Sequence, residues 1–204
     1  MKFIKIDDYE ITQLNTDKPF IISGGVGENM NFEDTLLNLH PNTTIFCYDF
    51  TDKALNFFNN KNFSDNIFLF RNAISSNKNF TSFKLPDYAN VCSESEFMQH
   101  ENNVYSNGFR NVRSLDLDDL CSINKQINIL KLDIEGSEYE LLLNLNKNHY
   151  EKIDQITGEF HQYRIKSILR DTHNKLIDHL VGTIGYKYKI TDESHGIYLF
   201  YKDI

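Results

Sequence analysis

Short apolar runs alternate along this chain with stretches in which apolar residues recur every three or four positions. "FIIS" (Phe20–Ser23), ended by glycines, predicts a buried strand. "ENMNFEDTLLNLH" (Glu28–His40) carries Phe32, Leu36 and Leu39 at helical spacing. "TTIFCYDF" (Thr43–Phe50) is β-branched and aromatic and predicts a second strand; "TDKALNFFNN" follows as a helix with Thr51 placed to cap it. "NIFLFRNAI" (Asn66–Ile74) is a third strand. "VRSLDLDDL" turns from a short strand into a helix, so Asp116, Asp118 and Asp119 read as a solvated helix start. "INILKLD" (Ile127–Asp133) and "SEYELLLNLNK" are the next strand and helix, and "KIDQITGEFH" is a further strand. "SILRDTHNKLIDHLVGTIG" is a helix with Leu169, Leu176, Ile177 and Leu180 on one side, ending at Gly182 or Gly185. "YKYKITDE" and "GIYLFYK" close the chain as an antiparallel pair around Ser194–Gly196.

Strands alternating with helices imply an α/β fold, a doubly wound and mainly parallel sheet covered on both faces. The 204 residues suit a single domain. Only Ser75–Asn111 breaks the rhythm: it is polar, rich in Asn and Ser, and without a sustained period. It follows the third strand, close to the switch point where such sheets bind ligands, so it reads as an insertion serving as lid or substrate loop. Tyr105, His100 and Arg110 are its candidate contacts with a substrate.

Composition narrows the classes. Net charge is −8, from 21 basic and 29 acidic residues, and no Lys/Arg stripe forms, which argues against a nucleic-acid partner. No run approaches the ~18 apolar residues of a membrane helix, and the start carries no signal-like segment, so a cytoplasmic protein without a membrane span is expected. Cys47, Cys92 and Cys121 show no CxxC spacing, so neither a disulfide framework nor a zinc site is expected; Cys47, in an apolar run, reads as core.

The first strand leads through "ISGGVGEN" (Ile22–Asn29) into a helix, a turn where glycine permits close backbone approach and helix N–H groups are free. The second strand ends at Asp49, where a carboxylate can accept both hydroxyls of a ribose. The third ends at Asn72-Ala73-Ile74, where an amide or backbone group can meet an adenine edge. Nicotinamide dinucleotides and S-adenosylmethionine both use this layout. A dinucleotide fingerprint needs G-x-G-x-x-G, and Met30 or Val26 spoils each register, so the methionine-type cofactor is favoured over a nicotinamide-dependent oxidoreductase.

"KLDIEGSE" places four charges at the junction between the fourth strand and its helix. Ser137 reads as an N-cap, with Glu140 completing a capping box and Glu138 in the first turn. Lys131, Asp133 and Glu135 are not explained that way; at alternate positions of an extended chain they point to one side.

"ILKLDIEGSEYELL" resembles the "LKxDxEGxE" signature of FkbM-type S-adenosylmethionine-dependent methyltransferases. "SGGVGENMNFEDTLL", "YDFTDKA", "NAISSN", "RSLDLDDL" and "ITGEFHQ" are similar to further elements of that family, and the resemblance covers about Phe20 to Lys202. It departs where the common first-strand acid aligns with Ser23, the third glycine with Asn29, and two prolines with Phe50 and Asp52. The resemblance implies methyl transfer from S-adenosylmethionine to an oxygen of a sugar or other small molecule. The residue usage of an AT-rich genome associates it with bacterial surface glycans. Ser23, Gly24, Gly25, Gly27, Asp49, Asn72 and Asp133 would then meet the cofactor, and Lys131 and Glu135 the acceptor. His161, at the end of the fifth strand, is the first candidate general base; Glu159 on the same face would orient it, and Asp133 is the rival base. Metal activation with Asp133 as a ligand is the alternative, but one carboxylate pair without a third ligand does not make a metal site, and none is expected. A non-catalytic module that keeps the fold and the cofactor is the competing reading.

Overall fold

The computed structural model describes residues 1–86, 105–161 and 170–203, with backbone only at 83–86, 105–109 and 170. In chain order the strands and helices are β1 (Phe3–Ile6), β2 (Tyr9–Thr12), β3 (Phe20–Gly24), α1 (Asn31–Leu39), β4 (Thr44–Tyr48), α2 (Asp52–Asn60), β5 (Ile67–Phe70), β6 (Ala73–Ile74), β7 (Asn79–Pro86), β8 (Tyr105–Leu115), α3 (Leu117–Ile123), β9 (Ile129–Leu132), α4 (Ser137–Leu143), α5 (Lys147–Lys152), β10 (Gln155–Glu159), α6 (Arg170–Ile177), β11 (Lys187–Asp192) and β12 (Ile197–Tyr201). Seven strands form the main sheet in the order β11-β12-β10-β9-β3-β4-β5. β10, β9, β3, β4 and β5 run parallel, and β12 enters antiparallel between β10 and β11. The chain therefore leaves β3 toward one edge and returns to its other side at β9. That reversal opens a crevice beyond the strand ends.

Successive residues of the central strands point to opposite faces, and each face builds a core. Ile21, Ile45 and Ile129 pack with α1 residues Phe32 and Leu36 on one side. Ile22 and Leu130 pack with Leu141, Leu142, Leu176 and Leu180 on the other. Thr51 caps α2, accepting from Ala54 N at 3.2 Å. Asp116 caps α3 in a capping box with Asp119, which accounts for that acidic cluster as helix initiation.

Several elements differ from the sequence expectation. An N-terminal hairpin, β1–β2, was not anticipated. Its Asp7–Asp8 turn has Asp7 at φ 53°, and Ile6, Tyr9, Ile11 and Leu14 bury against the first of the two cores. The third strand stops at Phe70 and resumes as β6 in a separate sheet of order β6-β8-β7. The stretch read as a polar insertion thus contains a long antiparallel arm, β7–β8; Cys92 and His100 lie outside the described residues. In α1 the buried stripe is Phe32, Glu33, Leu36 and Leu37, while Leu39 is 52% exposed. The helix after β9 ends at Leu143, and α5 starts behind an Asn146 cap. The helix α6 continues as a wider π-helical segment, Asp178–Ile184, closed by Gly185; Leu169 lies outside the described residues. No helix among the described residues is long and apolar enough to cross a membrane.

Candidate active site

A cavity of about 350 Å³ lies at the carboxyl ends of β3, β4 and β9. Its walls are Gly25–Asn29, Tyr48–Thr51, Asn72–Ile74, and Asp133–Glu135 with Ser137. Gly25 makes the turn possible. It sits at φ +72°, and a Cβ there would stand 1.7 Å from the Asp133 carbonyl oxygen. The β3 and β9 strand ends can approach this closely only without a side chain.

Asp49 binds the glycine turn to the neighbouring strand. One carboxylate oxygen accepts from Gly27 N at 2.9 Å; the other accepts from Thr51 N at 2.8 Å and Thr51 Oγ1 at 2.7 Å. The same carboxylate lines the cavity, and Asn72 lines it from the far side. Ser23 and Gly24 do not reach the wall, unlike the sequence expectation. Ser23 is fully buried and donates to Glu33 Oε1 at 2.5 Å, and the space above Gly24 is filled by Ile74. Glu33 is a buried acid that the helical reading of α1 missed, although Phe32, Leu36 and Leu37 place it on the apolar stripe.

The other end of the cavity is acidic. Asp133 and Glu135 enter its wall, and behind them His161, 3% exposed, is ringed by carboxylates. Its Nε2 lies 3.3 Å from Glu135 Oε2 and 3.6 Å from both Asp133 Oδ1 and Glu159 Oε1. Its Nδ1 lies 3.3 Å from Glu138 Oε1. The structure thus gathers the expected residues Asp133, Glu135, Glu159 and His161. Lys131 is close by but 4% exposed; its ammonium reaches the Gly25 carbonyl at 3.4 Å and Asp133 Oδ2 at 4.0 Å, which leaves it holding the turn rather than meeting an acceptor. Arg110 lies on β8 and pairs with Asp52 at 3.1 Å.

The junction after β9 is built differently from a capping box. Glu135 has φ 55° and Gly136 φ 103°, so the chain turns left-handed before α4, and Gly136 takes the cap position. Glu138, fully buried, folds back to accept from Ile134 N at 2.7 Å and Gly136 N at 2.8 Å. Glu140 instead accepts from Ser76 Oγ at 3.1 Å. Tyr9, from the unanticipated hairpin, donates to Asp133 Oδ2 at 3.1 Å, with Lys131 over its ring at 5.1 Å. Burial and the Asp133 charge push its phenol far up, so it remains a donor.

Burial pushes the Glu135 carboxyl up to about 7, with Asp133, Glu138 and Glu159 adding to the rise and His161 opposing it. Burial alone would lower His161, but the Glu138, Glu135 and Asp133 charges outweigh it and hold the imidazole at about 10. The cluster carries surplus negative charge that calls for a cation or a proton at its centre.

The cavity suits an adenosyl cofactor. It has a carboxylate at the second strand tip, apolar walls from Val26, Tyr48, Phe50 and Ile74, and the Ser137 hydroxyl, buried in its wall without a hydrogen-bond partner among the described residues. A search of curated proteins finds no match to the sequence. Among solved structures, Methanococcus jannaschii fibrillarin, described as a pre-rRNA processing protein, is similar with a TM-score of 0.52 at 10% identity, covering 98% of this chain and 81% of its own. A fibrillarin–Nop5p complex matches with a TM-score of 0.50 at 9% identity, over 93% of this chain and 74% of that one. At such identities the likeness shows the fold alone, a doubly wound and mainly parallel α/β sheet. The methyltransferase FkbM domain model matches residues 22–188, which include both the glycine turn and the acidic junction. The chain belongs to the FkbM family of S-adenosylmethionine-dependent methyltransferases.

Proposed function

We propose that the chain methylates a hydroxyl oxygen of a sugar or similar polyol. The observation that carries this reading is the division of one cavity into a nucleoside end at Asp49 and an acidic end at Asp133 and Glu135. Hydroxyl groups donate to carboxylates, whereas an anionic acceptor would be repelled. Gly25, Gly27, Asp49 and Asn72 form the cofactor end. Bound there, S-adenosylmethionine supplies an electrophilic methyl carbon, whose bond to sulfur breaks as the acceptor oxygen's bond to carbon forms.

The protein's part is to hold the acceptor in line and to take its proton. Asp133 and Glu135 have side chains 28% and 25% exposed and face the cavity, so the proton passes to this pair. His161, with a side chain only 1% exposed, positions the two carboxylates from behind and does not touch the acceptor. Glu159 steadies the imidazole from the adjacent strand end. The β7–β8 arm springs from the cavity wall at Ala73–Ile74, where β8 pairs with β6, and so stands where it can select the acceptor. A small saccharide of a bacterial surface glycan, met in the cytoplasm, fits this arrangement.

Calorimetry with S-adenosylmethionine, followed by methyl-donor turnover over a panel of neutral sugars, tests the reading. Asp49→Ala should weaken cofactor binding, while Asp133→Asn should keep it and lower turnover by about 10²-fold or more. Cofactor binding without transfer to any hydroxyl acceptor would leave a binding module instead of an enzyme.

A further inference from the structure

We propose that Asp133, Glu159 and His161 bind a divalent cation of the Mn²⁺ or Mg²⁺ class at the acidic end of the cavity, with Glu138 fixing the imidazole from behind. The inference deepens the function proposed above, because such a cation would sit where the acceptor hydroxyl is held.

One ligand atom from each of the three residues lies within 4.8 Å of the others. From His161 Nε2 the Asp133 and Glu159 oxygens are each 3.6 Å away. Hydrogen bonds between nitrogen and oxygen span about 2.7–3.2 Å, so neither distance is one. The third contact, Glu135 Oε2 at 3.3 Å, is also long. Three acids converge on a nitrogen that can offer one hydrogen. An ion of this class, bound at about 2.0–2.1 Å as Mg²⁺ is, sets adjacent ligands about 2.8–3.0 Å apart in octahedral geometry. The Asp133 and Glu159 oxygens, each 3.6 Å from His161 Nε2, stand somewhat wider than that and close on the ion as it binds.

The imidazole is prepared for this from its other side. His161 is 3% exposed and its Nδ1 is buried with no hydrogen-bond partner among the described residues. The acceptor placed nearest is Glu138 Oε1, 3.3 Å away on a carboxylate held by two backbone N–H groups. A fixed carboxylate behind one ring nitrogen keeps a proton on that side and the ring oriented, so a cation arriving at Nε2 displaces the proton there and takes its place, an arrangement typical behind metal-bound histidine. Asp133 is oriented in the same way: Tyr9 holds its Oδ2 at 3.1 Å, so Oδ1 turns to the cluster. Asp133 also lines the cavity, leaving the cation's remaining positions open to water or an acceptor hydroxyl. Two carboxylates with one imidazole suit Mn²⁺ or Mg²⁺ better than thiophilic metals. A hydroxyl bound to the cation gives up its proton more readily, and Glu135, which lines the cavity outside the ligand set, is placed to receive it. The sequence expectation of no metal site rested on finding one carboxylate pair and no third ligand; the fold supplies the third from β10 and the residues after it.

The test uses the full chain stripped with chelator and titrated with MnCl₂, read by loss of the free Mn²⁺ electron paramagnetic resonance signal and by calorimetry. One site per chain is expected. Asp133→Asn and His161→Ala should bind about 100-fold more weakly, and Glu138→Gln about 10- to 100-fold. Asp192→Asn, in a separate exposed acid–histidine cluster, should bind as the unaltered chain does. The proposal is overturned if the unaltered chain takes up no Mn²⁺ at one site per chain, if a folded Asp133→Asn binds it equally tightly, or if Asp192→Asn removes the binding. The unaltered chain decides the first outcome even if a variant fails to fold. S-adenosylmethionine affinity is measured separately in chelator: cofactor binding without Mn²⁺ binding overturns the cation alone, and Mn²⁺ binding without cofactor binding overturns the functional reading alone.

Discussion

Gly25 shows how one residue sets the site. Its left-handed φ and its 1.7 Å virtual Cβ contact with the Asp133 carbonyl act together. An alanine there must carry backbone strain and also push β9 away from β3. Gly25→Ala should therefore destabilise the fold by about 2–5 kcal/mol. Urea unfolding measures the loss, and cofactor affinity should fall with it; a change under about 1 kcal/mol would show that the strand ends can part freely. At this scale the sequence was partly legible. Lys131, Asp133 and Glu135 stood out because local structure did not need their charges; Asp133 and Glu135 line the cavity, while Lys131 holds the glycine turn beside it. Glu138 was hidden because its position reads as ordinary helix initiation. Only the left-handed turn at Glu135 and Gly136 folds its carboxylate back under the junction. Tyr9 was hidden for another reason: it reaches Asp133 across 124 positions of chain, and no local pattern reports such a contact.

The N-terminal hairpin is the element whose importance the pattern understated. "FIKI" and "YEIT" do alternate, but each is four residues long and the turn between them is Asp-Asp. What stabilises the hairpin comes from elsewhere. Ile6, Ile11 and Leu14 join the core beneath α1, and the Gln155 side chain clamps Thr12, accepting from its N–H at 2.7 Å and donating to its carbonyl at 3.3 Å. A hairpin so dependent on tertiary burial is not predictable from propensity. Ile11, fully buried, is its central side chain. Ile11→Ala should cost about 2–5 kcal/mol. Because the hairpin carries Tyr9 onto Asp133, the same variant should lower turnover more than cofactor affinity. Denaturant melts paired with calorimetry would separate the two effects; equal losses in both would mean that the hairpin only props up the fold. The apolar face of the last helix and the closing strands were legible by contrast, since Leu176 and Leu180 bury at helical spacing and β11 and β12 pair around the expected turn.

For the whole molecule, alternation of strand and helix gave the class and the return of the chain past the first strand of the parallel sheet, while the entry of β12 between β10 and β11 came only with the structure. Which neighbour β9 takes depends on the crossover from β5 back past β3, and β12 enters between β10 and β11 against the direction of the rest. That order brings Gly25, Asp49 and Asp133 to one crevice, and a ligand bound there touches strand ends from both halves of the sheet. Binding should therefore stabilise the entire domain. At about 100 times its dissociation constant, S-adenosylmethionine adds about 2.7 kcal/mol to unfolding. For a chain of this length that corresponds to a rise in Tm of roughly 5–10 °C. Differential scanning fluorimetry should show the rise for the unaltered chain and a much smaller one for Asp49→Ala at the same ligand concentration. A nicotinamide dinucleotide, whose pyrophosphate would need a third glycine where Met30 stands, should give no rise. Equal shifts from both nucleotides would mean that the crevice recognises adenosine alone, and the assignment of its acidic end to methyl transfer would lose its support.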